Sequence, residues 1–210
     1  MTPSVVRNVY IVNSSWDFEK MWTSRGHNVV AALELADLVQ FTGGADVSPE
    51  LYGEANVASC CDANRDKNEQ KIFSWCLENK KHMVGVCRGG QFLNVMNGGK
   101  MWQHVDNHAI GGTHGVWDYE TATSRQCTST HHQMMRPKFD SNCQLVGSST
   151  KDRATTFRNA EAAFDESDLG CDVEVLYYPD THCLCFQPHP EYGHKECEDY
   201  YFELIERFKL

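Results

Sequence analysis

Basic residues are scarce in this chain. Nineteen Lys and Arg stand against 29 Asp and Glu, a formal net charge of −10. That balance disfavours phosphate backbones and anionic lipid headgroups, so neither nucleic acid nor a membrane is an expected partner. Long hydrophobic runs are also missing. No apolar stretch approaches the ~18 residues that a membrane-crossing helix needs. The opening residues, Met1-Thr2-Pro3-Ser4-Val5-Val6-Arg7, lack the charged segment and apolar core of an export signal, so the expected location is the cytoplasm. Cysteine is plentiful, with ten residues, but no Cys-x-x-Cys pair of the metal or redox type occurs. Cys60-Cys61 is vicinal, and Cys183-x-Cys185 lies in an apolar stretch. Reduced, mostly buried thiols are expected, not a disulfide framework.

What is present has the composition of a folded domain. With 210 residues, 41% hydrophobic and 23% charged, the chain can bury a real core, and residues 1–210 are expected to form a single domain. Apolar runs at Asn8 to Val12, Leu38 to Phe41 and His82 to Val86 predict short buried strands. Helical spacing predicts helices from Trp16 to Trp22, over 31–37, from Arg65 to Asn79, from Arg88 to Met96 and from Lys195 to Phe208. In the third of these, Ile72/Cys76 and Phe73/Leu77 form an apolar face, leaving Arg65, Lys67, Glu69 and Lys71 to solvent. Residues 100–130 show weak periodicity and predict loops and short strands over a site. Asn142 to Gly147 predicts a further strand. Asp172 to Tyr178 alternates as a half-buried strand does, and His182 to Gln187 follows a Pro179-Asp180-Thr181 turn as its partner. Strands alternating with helices imply an α/β layered fold with a mostly parallel sheet.

The segment Val84-Gly85-Val86-Cys87-Arg88-Gly89-Gly90-Gln91 carries the strongest chemical signal. An apolar strand enters Gly-x-Cys-x-Gly and a helix leaves it, the form of a nucleophile elbow with Cys87 at its tip. The neighbours two positions away must be small because the chain turns sharply, and Gly85 and Gly89 are. A thiol there sits at a helix N-terminus, which favours thiolate, and the Arg88 N–H becomes an oxyanion donor. In Gln187-Pro188-His189-Pro190-Glu191, two prolines restrain the backbone around His189. In an extended chain Glu191 projects to the same side and can orient the imidazole. Phe41-Thr42-Gly43-Gly44 ends a strand in a pair of glycines whose N–H groups can supply a second oxyanion donor.

Together these segments resemble the class I glutamine amidotransferase-like superfamily, and within it the γ-glutamyl hydrolase type of cysteine peptidase. The matching stretches are FTGGADVSPELYGE at 41–54, RDKNEQKIF at 65–73, GVCRGGQFLNVMNGGKMWQHV at 85–105, THHQ at 130–133 and FQPHPEY at 186–192. The resemblance implies a flavodoxin-like three-layer sandwich around a central, mostly parallel sheet. It implies Cys87 as nucleophile, His189 as general base, Glu191 as its orienting acid, and the Gly44 and Arg88 N–H groups as oxyanion hole. Gln91, and one of His131 and His132, become substrate contacts. Pro188 stands where the family usually carries a bulky residue.

The implied reaction is hydrolysis of a γ-glutamyl amide through a γ-glutamyl thioester, which calls for no metal or organic cofactor. The implied ligand is a small γ-glutamyl compound or glutamine. The alternative is a glutaminase subunit that hands ammonia to a separate synthetase partner. A silent binding module on the same scaffold is disfavoured by the intact Cys-His-Glu set. A metal or redox protein is disfavoured because His104, His108 and His114 have no acid or Cys at ligand spacing. Asp46 and Glu50 are expected as caps, and Tyr200-Tyr201-Phe202 as core and helix surface instead of a stacking platform.

Overall fold

Short apolar runs become the strands of one central sheet, and longer amphipathic segments become the helices that cover it. The computed structural model describes residues 5–149, 151, 153–160 and 170–210. In chain order the strands are β1 (Asn8–Val12), β2 (Asn28–Val29), β3 (Leu38–Phe41), β4 (His82–Val86), β5 (Lys100–Trp102), β6 (His104–Val105), β7 (Ala109–Asp118), β8 (Thr123–Thr130), β9 (Met134–Arg136), β10 (Gln144–Ser149), β11 (Phe157–Arg158), β12 (Asp172–Tyr178) and β13 (Cys183–Phe186). The α-helices are α1 (Trp16–Ser24), α2 (Ala63–Glu78), α3 (Arg88–Met96) and α4 (Lys195–Arg207). Residues 31–37 yield only one turn of 3-10 helix, Leu33–Leu35. Helix α2 starts before the expected position because Asp62 caps it, accepting from the N–H groups of Asn64 and Arg65 at 3.0 and 3.1 Å.

Among the described residues nine strands form the main sheet, in the order β2-β1-β3-β4-β13-β12-β10-β7-β8. The run from β2 to β13 is parallel throughout. Strands β12, β10, β7 and β8 extend it antiparallel. Alternation along the parallel strands sorts side chains to two faces. Leu38, Val84, Val86, Leu184 and Phe186 pack against α1 and α4. Val39, Phe41, Met83, Cys183 and Cys185 pack against α2 and α3. Tyr200, Tyr201 and Phe202 all join the first of these cores, as expected. The result is the three-layer α/β sandwich. Strands β3, β4 and β13 end at the same edge of the parallel half, the edge where such sheets hold their sites.

Two elements depart from expectation. Residues 100–130, expected as loops and short strands, give the short strands β5 and β6, but the rest of the segment is more regular. Strands β7 and β8 pair as a long hairpin on the edge of the sheet. Their inward positions are mostly polar, with His114, Asp118, Thr128 and Ser129 beside the apolar Val116 and Cys127, so apolar alternation marks them weakly. Asp118, for example, accepts from Tyr200 Oη at 2.8 Å and Arg207 Nη1 at 2.9 Å. Strand β12 is buried along its whole length, not on one face, because side chains cover both sides of the sheet there. Its acids Asp172 and Glu174 are buried with it. The pattern does not signal the short strands β2, β9 and β11, while the remaining strands and α-helices overlap their expected spans. Residues 161–169 of the polar stretch before β12 lie outside the described residues.

Candidate active site

Cys87 stands at the turn between β4 and α3 with φ 50° and ψ −115°. A side chain at positive φ costs of order 1–3 kcal/mol, so the surroundings must hold it there. They do so from both sides. Cys87 N donates to Phe186 O at 2.8 Å, and Gln91 N donates to Cys87 O at 2.9 Å. The turn closes only because two side chains are missing. A Cβ on Gly85 would collide with the backbone of Gly89, and one on Gly89 with the carbonyl of Phe41. All ten cysteines are free, and Cys87 is only partly buried. Burial in apolar surroundings pushes the Cys76 and Cys183 thiols up to about 12, which leaves them inert near neutrality.

His189 follows β13 and is held by its backbone. Its N–H donates to Thr128 Oγ1 at 2.7 Å, and that hydroxyl donates back to the His189 carbonyl at 3.2 Å. Its Nδ1 lies 2.6 Å from Glu191 Oε1, and Tyr192 stacks on the ring at 4.4 Å. Glu191 reaches it from a 3-10 turn, Pro190–Tyr192, and not from an extended segment. Gly43 sits between the two reactive groups. A Cβ there would lie 2.9 Å from His189 Cε1 and 3.7 Å from Cys87 Cβ. Burial opposes a charge on His189, but the negative charge of Cys87, its hydrogen bond and Glu191 outweigh burial and push the imidazole up to about 11. Glu191 stands on the Nδ1 side of that ring.

The loop after β3 is set by α2. Arg65 Nη1 donates to Gly43 O at 2.9 Å and Nη2 to Thr42 O at 2.8 Å. In a trans peptide N–H and C=O point in opposite directions, so the Gly44 N–H is aimed away from Arg65. Glu69 Oε1 holds the guanidinium at 2.8 Å, and Asp66 accepts from Ser48 N at 3.1 Å. The buried Arg88 side chain pairs with both Asp66 and Glu69 and donates to Ala45 O at 3.1 Å. Helical spacing puts Arg65 and Glu69 in solvent, but Glu69 is 0% exposed. They bury because the loop carbonyls and Arg88 supply partners that no helical periodicity reveals.

The remaining expected residues separate. Gln91 is buried, its Nε2 donating to Gln187 Oε1 at 3.1 Å and Gln133 O at 3.4 Å. His131 turns inward, with Nδ1 on Gln133 O at 2.8 Å, and joins a buried cluster around Glu174 instead of lining an opening. His132 faces the other way, as alternation requires. It is partly exposed, lies 3.2 Å from Asp46 Oδ1, and is raised in pKa mainly by that contact. Asp46 also accepts from Cys60 N at 2.7 Å, so it ties down the loop instead of capping a helix.

The family model of peptidase C26 matches residues 21–158, a segment that contains Gly44, Cys87 and Arg88. The chain belongs to the peptidase C26 family. His189 and Glu191 lie beyond the matched segment of this C26 chain, and the fold brings them to the elbow. A putative glutamine amidotransferase-like protein, YvdE, of Lactococcus lactis subsp. lactis is 32% identical over 170 residues, covering 78% of this chain and 70% of that protein. A homologue of YvdE from Lactococcus lactis subsp. cremoris is 45% identical over 80 residues, 37% of this chain and 43% of its own length. Among solved structures, a putative GMP synthase component from Thermoplasma acidophilum superposes with a TM-score of 0.65 at 14% identity, covering 98% of this chain and 96% of that one. A glutamine amidotransferase of Thermotoga maritima gives 0.61 at 14% identity, covering 97% and 85%. These likenesses establish the class I glutamine amidotransferase-like fold.

Proposed function

We propose that this C26 chain hydrolyses γ-glutamyl amides through a thioester on Cys87. One observation carries the reading: a strained Cys87 at a strand-to-helix turn stands beside His189, whose Nδ1 lies 2.6 Å from Glu191. Cys87 attacks the amide carbonyl, and its sulfur–carbon bond forms as the carbonyl oxygen takes the negative charge. The Gly44 and Arg88 N–H groups hold that oxyanion. His189, charged as an imidazolium, gives its Nε2 proton to the leaving amine, and the C–N bond breaks.

The acyl step changes the base itself. Once Cys87 is a thioester it carries no negative charge, so the largest influence raising the His189 pKa is gone. The imidazole can then stay neutral and take a proton from the attacking water. Glutamate leaves and the thiolate–imidazolium pair returns.

The test is turnover of glutamine and of a panel of γ-glutamyl amides by the purified chain, with and without a thiol alkylator. Alkylator-sensitive release of several amines by the chain alone supports the hydrolase. Turnover of glutamine only after a synthetase is added supports an ammonia-delivering subunit instead.

A further inference from the structure

We propose that His108, His114 and Glu174 form a zinc site beneath the β7–β8 hairpin, with His131 packed beside them. The three histidines come from the hairpin and its flanks, and Glu174 from the centre of β12. All four side chains are buried to within 1% of full burial. In the sequence, the histidines have no acid at ligand spacing. The fold brings one from a distant strand.

The geometry points to a cation. Glu174 Oε1 lies 3.3 Å from His108 Nδ1, 3.2 Å from His114 Nε2 and 3.6 Å from His131 Nε2. Two ligands each about 2.0 Å from a tetrahedral zinc stand about 3.3 Å apart, which the His108 and His114 separations match, and one ligand atom from each of His108, His114 and Glu174 lies within 4.8 Å of the others. None of these four atoms has a hydrogen-bond partner. Groups of this kind are costly to leave buried and unpaired, and a bound cation would satisfy those of His108, His114 and Glu174 at once.

The outer contacts fix the tautomers. His108 Nε2 lies 2.8 Å from Asp172 Oδ2, and a carboxylate can only accept, so that nitrogen carries the hydrogen. His131 Nδ1 lies 2.8 Å from the Gln133 carbonyl and carries the hydrogen for the same reason. In the neutral rings, His108 Nδ1 and His131 Nε2 are therefore bare lone pairs aimed at a carboxylate. Carboxylate–histidine pairs of this kind typically surround bound zinc. Two imidazoles and one carboxylate, those of His108, His114 and Glu174, supply three ligands of a four-coordinate shell.

The site braces the candidate catalytic loop. Ser129 Oγ donates to His108 O at 2.7 Å, and the neighbouring Thr128 holds both backbone groups of His189. Glu174 O accepts from Gln187 N at 2.8 Å, just ahead of His189 in the chain.

Metal analysis of the purified full-length chain tests this independently of any activity. We expect one zinc per chain, retained in Cys87→Ser and lost in His114→Gln. Cobalt put in its place should give the intense visible bands of a tetrahedral ion. Asp172→Asn, which keeps the three ligands, should weaken zinc affinity about 10- to 100-fold. Removing zinc should lower the Tm by about 10 °C, the shift for a ligand held about a thousandfold above its Kd. Chain that carries no metal after growth with zinc, and whose Tm does not move when zinc is added, overturns the proposal. So does equal zinc in wild type and His114→Gln, which would place the ion on cysteines elsewhere.

Discussion

Arg65 Nη1 donates to the Gly43 carbonyl at 2.9 Å, and this bond sets the direction of the peptide that carries the Gly44 N–H. A helix residue thus orients a backbone donor at the end of β3, the strand beside the elbow. Replacing Arg65 by Lys keeps the charge but loses the planar fork that reaches Thr42, Gly43 and Glu69 together. We expect kcat to fall about 10²-fold with little change in KM, the mark of a donor lost from the transition state alone. Steady-state kinetics beside a circular dichroism melt separates this from unfolding. An unchanged kcat would mean that the Gly44 N–H does not serve the reaction.

Glu191→Gln keeps the shape of the His189 partner and removes its charge. The His189 pKa should drop from about 11, and kcat should fall about 10²- to 10⁴-fold. The sign of the stability effect follows from the same shift. Folding raises the His189 pKa above its ordinary value of about 6.5, so the folded chain binds the proton more tightly. The stabilisation is complete below about 6.5 and drains away as pH rises toward 11. Urea unfolding measured from pH 6 to pH 10, roughly that window, should show wild type losing stability faster than Glu191→Gln. Parallel curves would remove Glu191 from the titration.

Arg88 offers a stability test apart from its backbone role. Its side chain is the buried counter-charge of Asp66 and Glu69. Arg88→Ala takes this partner from both buried carboxylates, leaving Glu69 to Arg65 and Asp66 to the Ser48 N–H, and should cost up to about 3–5 kcal/mol, read as a lower urea midpoint. A shift under about 1 kcal/mol, the range of exposed pairs, would mean the network is not buried in solution.

The local parts of the site are legible in the sequence, and the long-range parts are not. The elbow is a backbone device confined to one short segment, so Gly85, Cys87 and Gly89 announce it by themselves. The His189–Glu191 pair is equally local, although a 3-10 turn brings it about and not an extended chain. Arg65 and Glu69 look like solvent-facing positions on a helix until the carbonyls of Thr42 and Gly43 arrive from β3. The hairpin β7–β8 is hidden because its inward residues are mostly polar and find their partners on α4 and β12. The family resemblance offers His131 to the substrate, but its partner Glu174 lies on another strand, and only the sheet order brings them together.

Acylation of Cys87 is the event on which the proposed reaction turns. Intact-protein mass spectrometry after rapid quenching with a γ-glutamyl amide should reveal one γ-glutamyl group per chain, and peptide mapping should place it on Cys87 among the ten cysteines. The adduct should be absent from Cys87→Ala. An adduct on another cysteine, or full turnover by Cys87→Ala, contradicts the mechanism.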